Sequence, residues 1–297
     1  MNYLVTGDNH LRPDPPVCRK ETAEEWYTFQ YQRLLEIVTF ANENNAELIM
    51  TGDVLDAART KSEMIVMLLD ALSLMERTTH IIGGNHSLLL HREANITSST
   101  IGIIKAMSDG GIGNIIYHTC NEESINGRFE HSYRLNDDIA IVHTLCMETE
   151  DDIPFNCEAV TPDYLFDKYD TPYICTGDYH KAFCTVKNGR AVINPGCMVQ
   201  QSVREKEYQP SVYLFNTDRI DSIEQLYLTY DSTLVSEEHI LRKRERTAEI
   251  ESVLEAIKSG KTDVSLDYIK NLYYYVEHNK VSEGATKIMD EIKEGVE

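Results

Sequence analysis

The sequence predicts a mixed α/β protein whose second half takes on α+β character, and three observations carry that prediction. Apolar runs of strand length alternate with helix-period segments through the first two-thirds of the chain. Later runs come in adjacent pairs joined by short turns, and from about Ser236 the texture becomes charged and helix-like.

Taken in order, Tyr3 to Thr6 reads as a first strand. A helical pattern follows, with Trp26, Phe29, Leu34, Ile37, Val38 and Ala41 on one side. The run AELIMT at 46–51 stops at Gly52 as a buried strand would. A second helix is expected near Ser62 to Met75, and a third strand from His80 to Gly83. This βαβα order implies a sheet with helices covering its faces. Ile139 to Thr144 and Tyr173 to Thr176 read as further strands. Phe183 to Lys187 and Arg190 to Asn194 flank Asn188-Gly189, a two-residue hairpin signal. Ser211 to Asn216 and Ile223 to Tyr230 form another pair. The change of texture places a boundary at 233, giving a main domain of 1–233 and a helical region of 234–297. That region has helical stretches over 237–259, 266–277 and 282–294. No internal repeat or low-complexity segment stands out.

Composition limits the function. Net charge is −21, from 49 acidic and 28 basic residues, and such a surface repels nucleic acid on average. This argues against a stand-alone, high-affinity DNA binder, though not against an enzyme whose metal ions hold a phosphodiester. No apolar run approaches the roughly 20 residues of a membrane helix. The opening MNYLVTGDNH reads as a strand and not as a signal peptide. Seven cysteines without a CxxC pair fit scattered buried thiols in a reducing compartment, so the expected location is cytoplasmic.

Five segments carry chemistry, each at the end of an expected strand: Asp8-Asn9-His10, Gly52-Asp53-Val54-Leu55-Asp56, Gly84-Asn85-His86, His143, and Gly177-Asp178-Tyr179-His180. Open α/β sheets build their sites at the carboxyl ends of strands. A glycine ahead of a ligand lets the backbone turn so that the next side chain projects into the site. Carboxylate, imidazole and amide donors together suit manganese, iron or zinc. Two such ions about 3.5–4 Å apart can act on one phosphoryl group. Any one segment alone reads more simply as a turn, a cap or a core histidine; the ordered set does not.

The series DxH, GDxxD, GNH, lone His and GxxH resembles the calcineurin-like metallophosphoesterases over roughly residues 1–215. The resemblance implies a two-sheet β sandwich flanked by helices, with a small C-terminal helical region. It implies that Asp8, His10, Asp53 and His180 hold one metal, and that Asp53 bridges to a second held also by Asn85, His143 and Asp178. A metal-bridging hydroxide would attack phosphorus in line. His86 would stabilise the transition state or protonate the leaving oxygen, a task suited to imidazole. The cofactor expectation is two divalent ions, manganese first, with magnesium, iron or zinc as alternatives. Two departures are visible. Asp178 stands where the family has histidine, which either keeps an oxygen ligand that favours harder ions or weakens the second metal. Ser87 stands where an acidic residue is common, so whatever orients His86 must come from elsewhere.

Within the family, Asp8-Asn9-His10-Leu11, Gly52 to Arg59, Asn194-Pro195-Gly196-Cys197 and Pro210 to Phe215 are similar to SbcD-type nuclease subunits. That likeness implies DNA as substrate, an SMC-like ATPase of SbcC type as partner, a homodimer as one form, and a tail that docks on the partner or caps DNA. The alternatives are a stand-alone phosphodiesterase or phosphatase acting on nucleotides or phosphoproteins, and a non-catalytic scaffold of the same fold. Arg242, Lys243, Arg244 and Arg246 form the densest basic cluster, which could face DNA or a partner or be a solvated helix face paired with Glu238, Glu249 and Glu251. Tyr273, Tyr274 and Tyr275 suit packing better than base stacking. Arg12, Arg19 and Lys20 are candidates for gripping phosphate, and Cys18 lies near enough to contact substrate. His80 is expected to be structural, and His91, His118, His131, His239 and His278 to be exposed.

Overall fold

The computed structural model describes residues 1–125, 128–154 and 157–242, with 244, 247–248, 250–251 and 274–275 beyond them. Two compact units divide the chain, Met1–Glu237 and Glu238–Glu297. The described residues of the second unit are helical. Lys243, Arg246, Tyr273, His278 and most of the tail helices expected from the sequence lie outside the described residues. Arg242 pairs with Glu238 at 3.1 Å along the helix, with both side chains largely exposed, and Tyr274 and Tyr275 are exposed.

The first unit contains β1 (Asn2–Thr6), α1 (Ala23–Glu43), β2 (Glu47–Met50), α2 (Ser62–Ser73), β3 (Thr79–Ile82), α3 (Gly102–Asp109), β4 (Ile115–His118), β5 (Asn121–Ile125), β6 (Arg128–Arg134), β7 (Ile139–His143), α4 (Pro162–Lys168), β8 (Tyr173–Gly177), β9 (Phe183–Lys187), β10 (Arg190–Asn194), β11 (Ser211–Asn216) and β12 (Arg219–Tyr227). They build two six-stranded sheets, ordered β12-β11-β1-β2-β3-β4 and β5-β6-β7-β8-β10-β9. In the first sheet β1 to β4 run parallel; in the second, β7, β8 and β10 do. Antiparallel strands extend both sheets.

Period-two alternation sorts the side chains into layers. Tyr3, Val5, Ile49 and Ile82 of the first sheet cluster with Ile139, Ile141, Tyr173, Cys175 and Ile193 of the second, filling the sandwich. Their neighbours in sequence point the other way. Leu4, Leu48, Met50 and Ile81 join Trp26, Leu34, Ile37, Met64 and Leu68 beneath α1 and α2, and Ala140, Val142, Ile174 and Val192 meet Leu165 of α4. Each fully buried Leu or Ile side chain contributes about 1.5–3 kcal/mol to this arrangement.

The structure adds elements that the sequence patterns did not reveal: α3, β4, β5, β6 and α4. Strand β12 begins at Arg219, earlier than the expected Ile223, and ends at Tyr227. Two histidines expected at the surface are buried, His118 beside His80 and Tyr133 and His131 within the second sheet. No helix among the described residues is long and apolar enough to cross a membrane. All seven cysteines are free, and Cys18 is buried, not presented to a substrate.

Candidate metal centre

Every proposed ligand sits at the carboxyl end of a parallel strand. The turn after β1 carries Asp8 and His10, the turn after β2 carries Asp53, and the turn after β3 carries Asn85 and His86. His143 is the last residue of β7, and Asp178 and His180 follow β8. The two sheets therefore present their carboxyl edges to one place.

The local backbone is unusual there. Asp8, His10 and Asp53 have φ near +45° and Asp178 has φ +90°, the left-handed region that L-residues enter only when the surroundings hold them. The restraints are visible. His10 N donates to Asp53 O at 2.9 Å and Leu11 N to Val54 O at 3.0 Å. Asp178 N donates to both Asp8 carboxylate oxygens at 3.0 Å. Two motif glycines serve different purposes. Gly52 has φ +109°, and a Cβ there would also strike the His143 ring; a Cβ on Gly84 would lie 2.3 Å from the Asp53 carboxylate. The second is a case of close approach and not of turning.

Hydrogen bonds fix the histidine tautomers. His143 Nδ1 donates to Thr51 O at 2.9 Å, so its Nε2 lone pair faces Asp53 Oδ2 at 3.3 Å. His180 Nδ1 donates to Glu205 Oε1 at 3.0 Å, which leaves its Nε2 lone pair 3.2 Å from His10 Nε2. His10 Nδ1 lies 3.4 Å from Asp56 Oδ1. At His143 and Asp53 an acceptor thus points at an acceptor. Buried His143 Nε2 and His10 Nδ1 have no hydrogen-bond partner among the described residues. Such convergence is repulsive unless a proton or a cation lies between the groups.

Protonation directions agree. Burial alone would raise the Asp53 carboxyl, but His143, His10 and His86 pull it below the usual range. Burial opposes charge on His143, yet Asp53 pushes it up to about 10. His180 is likewise raised against burial by Glu205 and Asp8, to about 9. Asp8 is raised by burial, which its neighbouring histidines only partly offset. A field that holds protons on buried imidazoles is also one that a divalent cation would neutralise.

Asp8, His10 and His180 place ligand atoms within 4.8 Å of one another, as do Asp8, Asp53 and His143. Asp8 belongs to both groups, whereas the sequence resemblance gives the bridging part to Asp53. Asp178 belongs to neither group, although it bears electrostatically on both His143 and His180. Asn85 is half-buried, and its backbone carbonyl accepts from His91 Nδ1. The donor set, buried carboxylates beside imidazoles of fixed tautomer, fits divalent ions.

His86 is exposed at the rim, its ring edge-on to His10 at 5.0 Å. What orients it is not an acid but the Asp56 carbonyl, 3.1 Å from Nδ1. Ser87 braces the loop instead: its hydroxyl bonds Leu55 N and Leu55 O at 3.2 and 3.1 Å. His86 N donates to Asp53 Oδ1 at 2.8 Å, so one carboxylate holds both loops.

The basic candidates separate. Arg12 reaches Asp56 Oδ2 at 3.3 Å, next to His10. Arg19 is buried, ion-paired with Glu21, bonded to Gln200 at 2.9 Å and stacked on Trp26 and Phe29. Its guanidinium is committed to packing and not offered to a phosphate. Lys20 caps the Thr233 carbonyl at 2.7 Å.

Glu205 and Asp56 are supporting residues that were not singled out by their roles. Glu205 lies in Ser202-Val203-Arg204-Glu205, a capping box whose S-x-x-E spacing is legible in the sequence; its reach to His180 is not.

No protein-family model matches the sequence, and neither does any curated protein. Among solved structures the chain is similar to an archaeal phosphodiesterase (10% identity, 77% of this chain and 100% of that one, TM-score 0.42). It is also similar to a point mutant of Vps29 from Entamoeba histolytica (15% identity, 78% and 100%, TM-score 0.34) and to wild-type Vps29 of that organism complexed with zinc (14% identity, 77% and 98%, TM-score 0.32). At such scores the overlap is loose, and it is the residues of this chain that speak to function.

Proposed function

We propose that this chain is a two-metal phosphodiesterase and that its substrate is DNA, as the hydrolytic subunit of an SbcCD-like complex. The observation that carries the hydrolytic part is the convergence of Asp8, His10, Asp53, His143 and His180 where the two sheets meet, with the His143 lone pair facing the buried Asp53 carboxylate. Asp8, His10 and His180 would hold one ion; Asp53, His143, Asn85 and Asp178 the other. Four oxygen donors against three imidazoles favour manganese. When bound, the ions supply Lewis-acid charge and a water of lowered pKa. The chain does the rest. Asp56 O fixes the His86 ring through Nδ1, which leaves Nε2 to pass a proton to the leaving oxygen. Thr51 O and Glu205 hold His143 and His180 in the tautomers that bind.

The nuclease part is supported by the similarity of the Asp8–Leu11, Gly52–Arg59 and Asn194–Cys197 segments to SbcD-type subunits. Linear duplex or single-stranded DNA should be degraded with manganese and spared after chelation. Protein that hydrolyses bis(p-nitrophenyl) phosphate but leaves every DNA end intact, even with an SMC-like ATPase present, would reduce the reading to a stand-alone phosphodiesterase. The acidic surface, net charge −21, is the observation favouring that second reading.

A further inference from the structure

A cavity of about 450 Å³ adjoins the metal centre, walled by Arg12, Asp14, Asp56, Arg59, Thr60 and Lys61 among others. Asp56 is common to both places. Its carboxylate faces His10 Nδ1 and Arg12, and its carbonyl orients His86. In a chain with 49 acids and 28 bases, three cations against two acids make this pocket locally positive by one charge.

The cations keep donors to spare. Arg12 gives NH1 to Asp56 and Nε to the Asp14 carbonyl at 2.9 Å. Among the described residues Arg59 engages Nε alone, with Ser98 O at 3.5 Å. Lys61 lies 3.7 Å from Glu63, with at least half of each side chain exposed, a loose pairing that a better anion would displace. The walls are firm by contrast. Leu11 bridges Leu55, and Asp56 N donates to Leu11 O at 3.2 Å. Arg12 O accepts from Trp26 Nε1 and Gln30 Nε2 at 3.1 and 2.9 Å, and Thr60 N donates to Thr100 Oγ1 at 3.0 Å. Fixed walls carrying spare guanidinium and ammonium donors suit a phosphate better than a neutral group.

We propose that this pocket is a subsite for a second phosphate of the substrate, held by Arg12, Arg59 and Lys61 while another phosphoryl group occupies the metal centre. The inference rests on the phosphoester reading of that centre. It selects substrates with at least two phosphates, whether linked through a nucleoside, as in a polynucleotide, or adjacent, as in a nucleoside diphosphate. A phosphoprotein bearing a single phosphate would leave the pocket unused.

Calorimetric titration of the full chain, carrying His86→Ala to slow turnover, reads the pocket directly with pTpT, ADP, TMP and AMP, each with manganese and with chelator. The expected result is that pTpT or ADP binds about tenfold more tightly than its monophosphate, and that Arg59→Ala with Lys61→Ala abolishes the preference. A preference for pTpT over TMP assigns an internucleotide phosphate, and one for ADP over AMP an adjacent phosphate. Equal affinities, or a preference that survives the double substitution, would overturn the proposal. Manganese dependence of TMP binding reports on the metal centre separately, so its absence would count against that centre and not against the pocket. Manganese content and thermal midpoint of the double variant confirm that it folds; Arg12→Ala, read in the same way, supplies an independent third cation.

Discussion

At the scale of single residues, the site is held by strain that its neighbours offset. Asp8, His10, Asp53 and Asp178 occupy left-handed backbone, each at a cost of about 1–2 kcal/mol. The glycines that precede Asp8, Asp53 and Asp178 made these three positions legible in the sequence, because a ligand after glycine at a strand end is a local pattern. Glu205 and Asp56 were not legible in their roles, since the contact between His180 and Glu205 spans 25 positions and His86 is oriented by a backbone oxygen. Glu205 gives a test. It holds His180 in the binding tautomer, so Glu205→Gln should weaken manganese affinity by about 10- to 100-fold and lower the His180 pKa from about 9. Calorimetric manganese titration reads the affinity, and a pH titration of the ring resonances by NMR without metal reads the pKa; an unchanged affinity would make Glu205 a mere loop cap.

At the scale of elements, legibility followed burial pattern. Helix α1 was readable from its apolar stripe, and it opens with a full capping box in which Thr22 and Glu25 exchange bonds at 3.3 and 2.9 Å. Thr22→Ala should cost about 1 kcal/mol, measured as a lower urea midpoint with an unchanged slope. The β9–β10 hairpin was legible because Asn188 and Gly189 both take positive φ, +53° and +73°, as the favoured hairpin turn demands. Strands β4, β5 and β6 escaped notice for a physical reason. They lie at or next to sheet edges, and NEESI and RFEHSYR lack the continuous apolar run that marks a central parallel strand. Missing β6 also hid His131, which pairs across the ladder with His143.

At the scale of the molecule, burial of histidine couples stability to pH. Burial, helped by His80, holds His118 down at about 4. Burial, helped by His143, does the same to His131, also at about 4. The ordinary unfolded value is about 6.5, so the unfolded chain binds these protons first. Their contribution is therefore fully present above about pH 6.5 and is lost as pH falls toward 4. Urea midpoints in chelator should decline over that window, and His131→Gln should make the decline shallower. An identical slope in the variant would show that acid lability comes from elsewhere.

The two-sheet arrangement brings Asp8, His10, Asp53, His143 and His180 from four strand ends to one place, and the claim on which everything functional depends is that this place binds two divalent ions. Manganese bound per chain, counted by elemental analysis after equilibration and gel filtration, tests it most directly. The account predicts two equivalents in the wild type and in His86→Ala, with the variant losing turnover of bis(p-nitrophenyl) phosphate, and no more than one in Asp53→Ala. A wild-type chain that retains no manganese, or an Asp53→Ala chain that keeps both ions, would contradict it.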